Sequence, residues 1–245
     1  MLLNAIDTGT GTGTRHGAGA GVVLLLHGLM GSAESWWRIA PALERTGHRV
    51  IAVDLPGHGL SPRDESCSVA SVAADVIETV QALAPGVALD AIGHSYGGTV
   101  LATVASRVPI RQTVYVDTLC AFAGGEDQRT FAENYEADRR NRTDPAWLRA
   151  SRPFYSETDA AVEARAAERF DPMTAASISS GADVAWDPQP GSILVRAQPS
   201  KFVTDDEAHR LAALGVDVRD IPGAAHSVWY SHFDEFCATL PELFA

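Results

Sequence analysis

The chain has 245 residues, 46% of them hydrophobic, and a formal net charge of −12 at pH 7. That length and apolar content fit one soluble domain with a sizeable core and room for an insertion. The acidic balance argues against a nucleic-acid partner, whose phosphates require a basic surface. No apolar run approaches the ~20 residues of a membrane span, so no membrane partner is expected.

Residues 2–6 read as a short edge strand. Residues 8–21 are mostly glycine and threonine, the composition of a flexible surface loop. The spacing Gly9-x-Gly11-x-Gly13 within it is a weak dinucleotide signal, because no helix opens after it. The start lacks a basic stretch followed by an apolar one, so no signal peptide is expected. Val22-Val23-Leu24-Leu25-Leu26 is apolar without alternation, as in a buried strand of a parallel sheet. His27-Gly28-Leu29-Met30-Gly31 follows it, then the adjacent Trp36 and Trp37, with a helix expected over 35–46. A second strand is expected over 49–53, and it leads into Asp54-Leu55-Pro56-Gly57-His58-Gly59-Leu60-Ser61. A helix over 69–83 stops at Pro85-Gly86.

Gly93-His94-Ser95-Tyr96-Gly97-Gly98 stands between an apolar run and a helical one. A Gly-x-Ser-x-Gly in that context is a nucleophile elbow, a turn so sharp that the serine hydroxyl is exposed above the sheet. Gly93 and Gly97 meet the demand for small residues where strand and helix approach, and Gly98 reads as added slack. A further strand, 113–117, ends on Asp117. From 118 to 190 no convincing strand appears. Helices are expected over 126–142, 144–150 and 158–170, with Pro153, Pro172 and Pro188 as breaks. A loop this long, with helices of its own, is expected to be a cap. The rhythm resumes with a strand at 192–196, a helix at 205–214, a strand at 216–219 and a closing helix at 227–240. Alternation of this kind implies a mostly parallel sheet with helices on both faces. Cys67, Cys120 and Cys237 have no metal or redox spacing and read as small hydrophobes in a reducing, cytoplasmic setting.

In open α/β sheets, sites lie at the carboxyl ends of strands. His27-Gly28, Ser95, Asp117 and His226 all fall there, and the chain order is serine, acid, histidine. With these motifs in this order, the chain resembles the α/β-hydrolase superfamily over essentially its whole length. His27–Gly31 matches the superfamily's oxyanion segment, and the 54–61 turn is typical of its capped members. The resemblance implies a core of residues 1–117 and 191–245, with a helical cap, 118–190, inserted after the sixth strand of the family's sheet. It implies Ser95 as nucleophile and His226 as base. The oxyanion donors would be the N–H groups of Leu29 and Tyr96. His94 is expected to point away from the nucleophile, and His27 and His58 to belong to turns. His232 reads as a surface or packing residue, and His16, His48 and His209 as solvent-exposed.

The acid departs from the usual pattern. Most relatives carry it after the strand matching 193–196, where this chain has Lys201, and a lysine cannot accept the histidine's N–H. Some dehalogenases and lactonases carry it one strand earlier, the position of Asp117. Asp205 or Asp206 are alternatives, although they read as the acidic first turn of a helix, and Glu126 is a further one. Substrate contacts are expected from Gly28, Leu29, Met30, Trp36 or Trp37 and Tyr96, with Trp147, Phe154, Tyr155, Met173 and Trp186 on the cap side. Arg139, Arg140, Arg142, Arg149 and Arg152 read as a solvated helix face, with an anionic substrate as the sharper alternative. The expected function is hydrolysis of a small carboxylic ester or lactone, with no cofactor or metal required. The alternatives are an acyl thioesterase, a C–C bond hydrolase, and a slow-turnover ligand receptor of the same fold.

Overall fold

Successive residues of β2 (Val22–Leu26) point to opposite faces of a sheet, and all five are buried. Leu24 and Leu26 enter one apolar cluster, Val23 and Leu25 the other. This strand is therefore covered on both faces, which is why it reads as unbroken hydrophobic sequence. The computed structural model describes residues 1–10 and 21–245. Most of the glycine-threonine loop, with His16, lies outside the described residues.

The strands are β1 (Ala5–Asp7), β2, β3 (Arg49–Val53), β4 (Leu89–His94), β5 (Ile110–Val116), the two-residue β6 (Ala121–Phe122) and β7 (Val184–Ala185), β8 (Ile193–Gln198) and β9 (Asp217–Pro222). Seven form one sheet in the order β1-β3-β2-β4-β5-β8-β9. Only β1 is antiparallel to its neighbour in that sheet. Helices α1 (Ile39–Arg45), α2 (Val69–Leu83) and α3 (Tyr96–Ala105) connect the first strands. Residues of α2 and α3 pack on the Leu24 face, and Ile39 and Leu43 of α1 on the Val23 face.

Between β5 and β8 the chain forms α4 (Gln128–Arg142), α5 (Pro145–Ser151), α6 (Glu157–Arg169) and α7 (Pro172–Ser179). The ribbon of β6 and β7 joins the two ends of this segment, pairing Phe122 with Val184. The sequence showed no strand here, because two residues cannot display a period of two. It also missed α7. Pro172 begins that helix rather than breaking the chain, and Asp171 caps it by accepting the Thr174 N–H.

After β8 come α8 (Asp205–Ala213), β9, α9 (Val228–Ser231), α10 (Phe233–Thr239) and α11 (Pro241–Phe244). The single closing helix expected from the sequence is three pieces, interrupted at His232 and Leu240, whose backbones leave the helical region. The helix expected over 35–46 is likewise a 3-10 turn, Ala33–Trp36, followed by α1.

Candidate active site

Ser95 leaves β4 with φ 50° and ψ −122°, a conformation that L side chains rarely adopt. Two close approaches force it. A Cβ on Gly97 would stand 2.3 Å from the Leu26 carbonyl oxygen, and one on Gly93 would stand 2.7 Å from that of Gly97. Gly98 is not slack, since its Cβ would meet the Thr118 hydroxyl at 2.2 Å. The Ser95 N–H donates to Val116 O at 2.9 Å, which fastens the turn to the end of β5.

One residue later Asp117 has φ 44°, and its N–H donates to Val195 O at 2.9 Å. Its carboxylate is buried, and Oδ2 accepts from His226 Nδ1 at 2.7 Å, while Oδ1 has no partner among the described residues. That bond puts the proton on Nδ1 and leaves Nε2 as the basic nitrogen. The other candidate acids lie elsewhere. Asp205 accepts from Arg196 at 2.7 Å, Asp206 is exposed at the start of α8, and Glu126 and Lys201 are exposed.

His226 is held on three sides. Phe202 stacks on its ring with centroids 3.8 Å apart. The His94 ring lies 4.5 Å away, and His94 Nε2–H donates to the His226 carbonyl at 3.0 Å. Burial pushes the His94 pKa well below its ordinary value, and the nearby His226 adds to that. The expectation that His94 turns away from the site is therefore corrected: its ring lines the cavity beside Ser95. The compactness of Gly28 allows this, because a Cβ there would stand 2.8 Å from His94 Nδ1.

His27 and His58 are turn residues, as expected. His27 Nδ1–H donates to Gly28 O at 2.8 Å and its Nε2 accepts from Leu55 N at 3.0 Å. This couples the 27–31 segment to the 54–61 turn. Asp54 closes that turn by accepting from Ala33 N and Leu60 N. Neither the Leu29 nor the Tyr96 N–H makes a hydrogen bond among the described residues.

Two cavities of about 250 Å³ each meet at Leu29, Ser95 and Phe202. The first is largely apolar, with Thr99, Leu119, Phe131, Tyr135 and Ile178 in its wall. The second is the more polar of the two and is lined by Gly28, His94, Arg142, Arg152, Glu163 and His226 among others. Ser95 and His226 share the second without a mutual hydrogen bond, a looseness common before substrate binds.

Several expected substrate contacts are not in these walls. Trp36 is fully buried and stacked on Trp229 with centroids 4.4 Å apart, filling the core beneath the turn. Its neighbour Trp37 points outward and donates to Asp159 at 3.2 Å. Met30 packs with Phe170 and Ala175. Trp147 lies under the Arg152 guanidinium, and Tyr155 is buried against Tyr230. Trp186 packs on Tyr115 and lines a separate pocket with Cys120. The sequence did not single out Phe202 or Glu163. It also placed Arg142 and Arg152 on a solvated face, which holds instead for Arg140 and Arg149.

The family model described as "Alpha/beta hydrolase family" matches residues 23–239. A rice protein (Oryza sativa subsp. indica) described as "Probable esterase PIR7A" is 38% identical over 88 residues, 35% of this chain and 34% of that protein. The chain thus matches about a third of the length of such curated relatives. A marine microorganism esterase superimposes with a TM-score of 0.72 at 17% identity, covering 99% of both chains. The enol-lactonase from Burkholderia xenovorans LB400 gives 0.71 at 17%, covering 98% of this chain and 95% of that one. At such identity these two likenesses concern the fold. Among the described residues no helix is long and apolar enough to cross a membrane.

Proposed function

The chain belongs to the alpha/beta hydrolase family, and on that premise we propose that it is a serine hydrolase that cleaves a carboxylic ester or lactone through an acyl-enzyme. The observation that carries this reading is the 2.7 Å bond from His226 to the buried Asp117, beside a serine held at positive φ. Ser95 Oγ attacks the carbonyl carbon while His226 Nε2 takes its proton. Asp117 holds the tautomer and faces the imidazolium that forms. The carbonyl oxygen becomes an oxyanion, and the free N–H groups of Leu29 and Tyr96 receive it. Collapse expels the alkoxide, which takes the proton back from His226. Water activated by the same histidine then attacks the acyl carbon and releases the acid.

The segment 118–190 acts as a cap, because Phe131, Tyr135 and Ile178 close the apolar cavity while Arg142, Arg152 and Glu163 close the polar one. A cytoplasmic setting is in keeping with the free thiols of Cys67, Cys120 and Cys237.

The test is Ser95→Ala assayed on 4-nitrophenyl acetate, 4-nitrophenyl butyrate and a six-membered lactone. Activity should fall by about 10⁶-fold, to background, as for removal of other serine nucleophiles. Hydrolysis that survives the substitution would overturn the mechanism.

A further inference from the structure

Arg142, the last residue of α4, lines the cavity that holds Ser95 and His226. It is only 15% exposed, yet it makes no side-chain hydrogen bond among the described residues, and its Nε is buried without a partner. The carboxylates of Asp138 and Glu163 stand 3.7 and 4.0 Å away, too far for a hydrogen bond. Glu163 is already engaged, since its Oε1 accepts from both Ser35 Oγ and Tyr230 OH at 2.8 Å. Arg152 lines the same cavity, with a single side-chain hydrogen bond among the described residues, to Ser151 Oγ at 3.0 Å, and its guanidinium over Trp147 and Tyr155. Burial lowers its pKa, and the charge of Arg142 lowers it further. Two guanidiniums thus line one cavity that Ser95 and His226 also line.

Buried charges are normally paired. We propose that the polar cavity is a carboxylate subsite, in which Arg142 and Arg152 hold a second, ionised carboxyl group of the substrate while Ser95 attacks its ester carbonyl. The substrate class is then the half-ester of a dicarboxylic acid, or a lactone bearing a carboxylate. Planar, two-pronged guanidinium donors match a carboxylate's two oxygens. Glu163 cancels one of the two positive charges in the cavity, so the remaining charge suits a monoanion better than a phosphate dianion. The chain between the two carboxyl groups then spans from Ser95 to the guanidiniums, and the alcohol group of the ester points from Ser95 into the apolar cavity. This inference rests on the hydrolase reading above and is tested separately from it.

The kinetic arm compares monomethyl adipate with methyl hexanoate and dimethyl adipate. The half-ester should be preferred about ten- to hundredfold in kcat/KM, the worth of a charge-assisted contact. Arg142→Gln and Arg152→Gln should each lower that preference ratio, with Arg142→Lys intermediate. Unchanged thermal unfolding would show that the variants are folded. The binding arm titrates the Ser95→Ala protein with monomethyl adipate by calorimetry. Saturable binding that weakens by about ten- to hundredfold with Arg142→Gln supports the subsite even if no ester is turned over, an outcome that sinks only the hydrolase reading. Equal rates on half-ester and neutral ester, with no saturable binding, would overturn the subsite and leave the hydrolase reading standing.

Discussion

Ser95, Asp117 and Met30 are the non-glycine residues at positive φ among those described, at 50°, 44° and 60°. All three follow the carboxyl end of a parallel strand, where strained backbone is maintained only if its surroundings over-determine it. The N–H groups of Ser95 and Asp117 supply that constraint by donating to Val116 at the end of β5 and to Val195 within β8. Ser95 was legible because sterics write it into the sequence: small residues must flank it. His226 was legible from its place in chain order. Asp117 was less so, since nothing in a local sequence distinguishes a carboxylate that meets a histidine 109 residues away from one that does not. The charge on Arg142 was visible, but its burial was not, because burial depends on what α6 brings over it. Asp117→Asn should lower kcat by about 10⁴-fold, the loss seen when a triad aspartate becomes an amide. Asp205→Asn, which loses only a partner of Arg196, should leave kcat within a factor of about two, because surface changes away from special features cost little. Rates on one 4-nitrophenyl ester decide this, and the opposite ranking would refute the role proposed for Asp117.

At the scale of elements, capping explains much of what could be read. Ser68 starts α2 with a reciprocal bond to Ser71, and Asp144 caps α5, whose first residue is Pro145. The bounds expected for α2 match those observed. The elements β6, β7 and α7 were missed, because two-residue strands show no period and Pro172 reads as a break. Contacts between the helical segment and the core were not legible at all. Helix α6 is joined to the turn before α1 through the fully buried Asp159, which accepts from Arg38 at 2.6 Å and Trp37 at 3.2 Å. Asp159 also completes the capping box with Ser156. Asp159→Ala removes a charged hydrogen bond and half of a cap. It should cost about 2–3 kcal/mol in urea unfolding, roughly the sum of those two losses. Arg38→Ala should cost more than an exposed pair does, since it strands a buried carboxylate. A change below about 0.5 kcal/mol in both variants, the range of ordinary surface substitutions, would mean that the helical segment is held by packing alone.

Across the whole molecule, the two apolar clusters on either face of the sheet account for most of what hydrophobic patterning predicts. What patterning does not show is that His27, His58 and His94 are buried in the same region, at the carboxyl ends of β2 and β4 and in the 54–61 turn. Burial lowers the pKa of each, and His58 falls to about 3. Its Nδ1–H donates to Pro56 O at 2.9 Å, while Nε2 is buried without a partner among the described residues, so a second proton there would find no acceptor among them. In the unfolded chain a histidine titrates near ~6.5. Between that pH and about 3 the unfolded state binds the proton and the folded state does not. Stability from these residues is therefore complete above pH ~6.5, and each loses up to about 1.4 kcal/mol for every pH unit below it. The melting temperature should thus drop steeply from pH 6.5 to pH 5, before most carboxylates titrate. Asn at position 58 keeps a donor and does not ionise. His58→Asn should begin at a lower melting temperature at pH 7.5 and show a shallower fall. A slope as steep as that of the parent protein would mean that His58 takes up its proton without unfolding.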